Sequence, residues 1–66
     1  MNVIITTVDQ YGTQTESTIT CDGEAEAVRV WHGFAADLRE IGFVWSSEEA
    51  AFTKGSEWVY LNVEGV

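Results

Sequence analysis

Residues 22–45 read DGEAEAVRVWHGFAADLREIGFVW, and the architecture is organised around this one segment. Asp22-Gly23 breaks the pattern that precedes it, and either residue can cap a helix. Glu24 and Glu26 follow in the first turn, where the macrodipole favours negative charge. At 100° per residue, Val28, Ala35, Trp31, Leu38, Ala27, Phe34, Ile41 and Val30 fall on one broad arc. Arg39, His32, Ala36, Arg29, Glu40, Glu26 and Asp37 occupy the other. This spacing predicts an amphipathic helix of about five turns that buries one side only. Gly42 stands where a left-handed C-cap is expected. Gly33, on the polar arc, costs about 1 kcal/mol against Ala and signals nothing more.

The segments flanking the helix read as strands. Val3 to Val8 are nearly all β-branched, so Met1 to Asp9 is expected to be extended. Asp9-Gln10-Tyr11-Gly12-Thr13 is the turn that follows. Thr15 to Cys21 alternates with period two, setting Ser17, Ile19 and Cys21 on one face and Glu16, Thr18 and Thr20 on the other. These two strands form a hairpin. After the helix come Phe43-Val44-Trp45, a Ser46–Glu49 turn, Ala51-Phe52-Thr53, a Lys54-Gly55 turn and a last strand from Trp58 to Glu64. The expected fold is a single α+β domain over residues 1–66. It has two layers, an antiparallel sheet with one amphipathic helix on one face, in the order β-β-α-β-β-β. Leu38 to Trp45, with Phe52 seven positions further on, resembles a helix-Gly-strand-hairpin element of small accessory domains, some attached to DNA-processing enzymes; no function is carried over from it.

Composition narrows the function classes. The chain has 66 residues, 45% hydrophobic and 21% charged, which is a globular balance. So small a domain buries only about 60% of its unfolded surface, which argues against a self-contained enzyme with an enclosed pocket. One cysteine, Cys21, excludes an internal disulfide. Met1 to Thr7 lacks the basic and long apolar regions of a signal peptide, and no apolar window is long enough to span a membrane, so a cytoplasmic location is expected. With 11 Asp and Glu against 3 Lys and Arg, the net charge is −8, which opposes direct contact with nucleic acid or an anionic membrane.

Catalytic and metal chemistry find no support in the residue pattern. A nucleophile needs a positioned base, and Cys21 with His32 is the one conceivable pair. A half-buried small residue and a solvated helix histidine account for the two more simply. Zinc needs more His and Cys than the chain contains, and Asp22-x-Glu24-x-Glu26 lacks the ligand ladder of a calcium loop. The glycines stand singly, so no phosphate-cradling loop exists. No catalytic residue, metal or cofactor is expected.

The charge itself remains, together with the aromatics. Residues 1–28 hold Asp9, Glu16, Asp22, Glu24 and Glu26 and no Lys or Arg; Glu48, Glu49, Glu57 and Glu64 follow the helix against Lys54. If Val59, Leu61 and Val63 face the helix, Trp58 and Tyr60 face the uncovered side, which has the composition of a protein-binding patch. Two other arrangements are open: the opposite pairing of faces, or a second copy covering the outer face as a homodimer. In size and charge the chain resembles the small acidic inhibitors of phages and mobile elements, the anti-restriction and anti-CRISPR proteins that imitate DNA. That resemblance implies a non-catalytic inhibitor docking on the basic, nucleic-acid-binding groove of a partner protein. Asp9, Glu16, Asp22, Glu24, Glu26, Glu48, Glu49, Glu57, Trp58 and Tyr60 are the expected partner-binding residues. The alternative is a small structural or accessory subunit, or a homodimer, whose acidity serves only solubility.

Overall fold

The fold was established from a computed structural model that describes residues 1–65. Five strands and one helix occur in the expected order: β1 (Asn2–Val8), β2 (Gln14–Thr20), α1 (Glu24–Glu40), β3 (Val44–Ser46), β4 (Ala51–Lys54) and β5 (Glu57–Glu64). The strands form one antiparallel sheet in the spatial order β2-β1-β5-β4-β3. The domain is therefore α+β, with the helix packed on one face of the sheet. No helix of the described residues is long and apolar enough to cross a membrane.

Both ends of the helix are set by local chemistry. Gly23 is the N-cap and offers no side chain, so Glu26 reaches back instead, its Oε2 accepting the Asp22 backbone N–H at 2.9 Å. At the other end Gly42 takes φ 104°, the Gly42 N–H donates to the Arg39 carbonyl and the Phe43 N–H to the Leu38 carbonyl. This is the Schellman arrangement, with Phe43 and Leu38 packed in the same core cluster. It explains why β3 starts at Val44 and not at Phe43: the Phe43 amide already closes the helix.

The helix approaches the sheet on alanines. Ala27 and Ala35 are both fully buried and lie two turns apart. Beneath the first half, Val3, Cys21 and Ala27 form one cluster, with Met1, Ile19 and Val30 against it. Beneath the second half, Ala35, Phe43, Phe52, Val59 and Leu61 form another, with Trp31, Phe34 and Leu38 around it. Ile5 touches both. Two positions of the apolar arc depart from expectation: Val28 is 45% and Ile41 59% exposed. Ile41 has left the helix as its C-cap. Val28 projects where the sheet below it is incomplete.

That incompleteness follows from the strand pairings. The Cys21 N–H donates to Met1 O and the Asp9 N–H to Thr13 O, so odd-numbered residues of β1 exchange hydrogen bonds with β2. Even-numbered residues of β1 then bond to Trp58, Tyr60, Asn62 and Glu64, and the odd residues of β5 turn their backbone groups toward β4. Yet β4 pairs with β5 only from Phe52–Val59 to Lys54–Glu57. Two places beyond the Phe52–Val59 pair, Ala50 would stand opposite Leu61, but its φ of 53° swings the chain away. Among the described residues, no strand pairs with Leu61–Glu64 on the side away from β1.

Candidate functional site

The structure separates the expected partner-binding residues into groups. Asp9 closes the β1–β2 turn, with Oδ1 accepting the Tyr11 and Thr13 backbone N–H groups at 2.9 Å each. Extending the Val8–Trp58 pair by one place sets Asp9 opposite Glu57, and both line an open cleft of about 390 Å³ that also includes Thr15, Leu38, Ile41 and Phe43. Glu57 is itself cross-strand from Lys54. Asp22, Glu24 and Glu26 lie at the opposite end of the sheet, where β2 leads into the helix, and Glu64 ends β5 at that same end. Glu48 and Glu49 occupy the β3–β4 turn, where the Glu49 N–H donates to Ser46 Oγ.

Simple spacing shows what these groups can do together. Asp9 and Asp22 are separated by the length of β1, roughly 25 Å. The β3–β4 turn joins the ends of the two strands farthest from β2, roughly 14–19 Å away across three to four strand spacings. Both separations exceed the screening length of about 8 Å at physiological salt, so Asp9 and the β3–β4 turn each lie outside the local field of Asp22. The body is elongated, 34 × 22 × 20 Å.

Trp58 and Tyr60 lie on the helix-free face, as the alternation of β5 requires once Val59 and Leu61 are in the core. Tyr60 shares a row with Thr6 and Glu16. Both rings are half-buried, and Glu16 stands at the edge strand of the same row.

A second apolar surface, which sequence reasoning did not single out, lies on the helix side. The Trp31 and Trp45 rings meet at 6.4 Å and 65°, and each packs on the fully buried Phe52, at 6.1 and 5.2 Å. His32 stands edge-on to Trp31 at 5.3 Å. Val28, Trp31, His32 and Val63 line a shallow hollow of about 220 Å³. Trp45 is 47% exposed, and Val28 and Val63 are each 45% exposed. The patch borders the incomplete part of the sheet, and the Trp31 indole Nε1–H donates to the Leu61 carbonyl at 3.0 Å, on the side where β4 is missing. Glu24 precedes Val28 by one helical turn, Glu64 adjoins Val63, and the turn with Glu48 and Glu49 follows Trp45. An aromatic centre with a carboxylate rim has the anatomy of a protein interface. A signal for it was present: Ala51–Thr53 is too short to pair all of Trp58–Glu64, so the end of the longer strand had to be left open.

Cys21 and His32 do not form a site. Cys21 is buried against Val3 and Ala27 with its thiol directed at the Ile19 carbonyl, while His32 is exposed beside Trp31. Among the described residues, no three His, Cys, Asp or Glu side chains are placed to hold a metal ion. No protein-family model matches the chain, and neither does any curated protein or solved structure.

Proposed function

We propose that the chain is a non-catalytic binding protein that docks its carboxylate-rimmed surface on a basic surface of a partner protein, of the kind that otherwise holds nucleic acid. The observation that carries this reading is how the charges are used. Lys54 donates its Nζ to the Ile41 carbonyl at 2.7 Å, and the Arg39 guanidinium sits 5.6 Å from the Phe52 ring centre. Two of the three cations are thus engaged by the chain's own carbonyl and ring, whereas nine of the eleven carboxylate side chains are exposed.

Magnitudes assign different tasks to charge and to apolar contact. A duplex of about 34 Å, one helical turn, carries about 20 phosphates. The chain has the same length and a net charge of −8, less than half that density. Its field steers association with a basic partner. The Trp31–Trp45 patch then supplies the desolvated anchor that holds the complex.

The test is capture on the immobilised chain followed by competition. Bound proteins should be basic, should elute as salt is raised, and should be displaced by duplex DNA. Capture of acidic or neutral proteins, retention indifferent to salt, or no competition from DNA would each refute the reading. Sedimentation at several concentrations addresses the homodimer alternative: a tight dimer that buries Trp31 and Trp45 would remove that patch from any partner.

A further inference from the structure

We infer that the open edge of β5, Leu61–Glu64, is a strand-addition site for an extended segment of the partner, one that alternates apolar and basic side chains. This deepens the docking proposed above and presupposes its basic partner.

Three observations converge on that edge. Val63 turns its N–H and C=O away from β1, toward a lane that no strand occupies among the described residues. Ala50, at φ 53°, diverts the chain from this lane immediately before β4 begins, which leaves room for another strand in line with β4. The Leu61 carbonyl in the same lane takes its hydrogen bond from the Trp31 indole, so the backbone pair left to an incoming strand is that of Val63, beside the indole.

The side of the lane facing the helix is apolar. Val28, Trp31, His32 and Val63 form its hollow, which suits alternate apolar residues of an incoming strand. Backbone pairing supplies affinity in this mode, and pockets for every second side chain supply selectivity. The remaining side chains of the incoming strand emerge on the face of β5 that carries Asn62 and Glu64, near the turn bearing Glu48 and Glu49. Basic side chains there meet carboxylates, whereas acidic ones are repelled. The sheet's other long free edge, β2, has a hollow of its own of about 290 Å³, lined by Ile19, Val30, Gly33, Phe34 and Asp37. The Trp31–Trp45 pair and Glu64 lie at the β5 edge instead, so β2 is the internal comparison for the test.

The test uses the full chain and a capped five-residue peptide alternating lysine and valine. Amide hydrogen exchange is followed by NMR, with and without peptide. Saturating peptide should slow exchange of the Val63 amide about tenfold and leave the β2 amides unchanged. Val63→Pro removes that N–H without touching the β1 ladder, and should weaken peptide binding about tenfold while far-UV circular dichroism is retained. Unchanged exchange at Val63, equal protection along β2, or equal binding to a folded V63P variant would overturn the inference. If V63P does not fold, exchange at Val63 in the unaltered chain decides. Salt-sensitive binding of the lysine peptide without protection at Val63 sinks the edge site and leaves basic docking standing. Equal binding of a peptide with threonine in place of lysine upholds strand addition and removes the requirement for a basic partner.

Discussion

Replacing Ala50 by glycine should stabilise the protein, although it deletes a methyl group and nothing is added. Ala50 has φ 53° and is the described non-glycine residue held in the left-handed region. That conformation brings Cβ against the following carbonyl oxygen and costs about 1–2 kcal/mol for an L-residue. Glycine removes the clash but loosens the unfolded chain, which returns about 0.4–1 kcal/mol. The side chain at position 50 is exposed, so no core contact is lost. The balance is a gain of about 0.5–1 kcal/mol. For 66 residues the unfolding entropy is about 66 × 2.1 cal/mol/K, or roughly 0.14 kcal/mol/K, so the midpoint should rise by about 4–7 °C. Differential scanning calorimetry of A50G beside Ala50→Val reads this directly. Valine, β-branched and intolerant of this φ, should move the midpoint the other way. An A50G midpoint at or below that of the parent chain, or a neutral A50V, would refute the left-handed turn and with it the reason β4 stops short.

Trp31→Phe keeps the ring packing on Phe52 and Trp45 but deletes the indole N–H, and should cost about 1 kcal/mol in urea titrations with an unchanged slope. No loss would mean that the bond to Leu61 contributes nothing to folding. Gly42→Ala places a Cβ at φ 104° and 3.3 Å from Lys54 Cε, so it should cost at least about 1 kcal/mol by the same titration. A silent substitution would contradict the Schellman cap. Raising ionic strength from about 0.01 M to 0.15 M shortens the screening length from about 30 to 8 Å and should raise the melting midpoint, because carboxylates facing no cation cease to repel one another across the sheet. A midpoint that falls with salt would show that attractive pairs dominate.

Much of this architecture was legible in the residues because local rules and tertiary packing agree. The apolar arc of residues 27–41 and the alternation in 15–21 and 58–64 each have one period, and the two periods cannot be confused over such lengths. Gly42 marked the helix end because only a residue without Cβ sits comfortably there. The faces of β5, which the alternation alone leaves open, are decided by Phe52 and Val59 sharing the core, which puts Trp58 and Tyr60 on the other side. Asp9 and Glu26 were less transparent. Both stand among the expected partner-binding carboxylates, yet each accepts backbone N–H groups that shape a turn or a helix start. Their side-chain geometry depends on where the chain goes next, which composition does not contain.

The order of elements, the helix and its cap, and the sign of the surface charge are properties of short stretches of chain, set by periodicity, steric tolerance and residue counts. The separation of the acids into groups, the meeting of Trp31 with Trp45 over Phe52, and the open edge at Leu61–Glu64 belong to the tertiary structure alone. They depend on strand order and on where each pairing stops. Residues 14 places apart in the chain become neighbours there, and one left-handed residue determines whether a strand has a partner or an empty lane beside it.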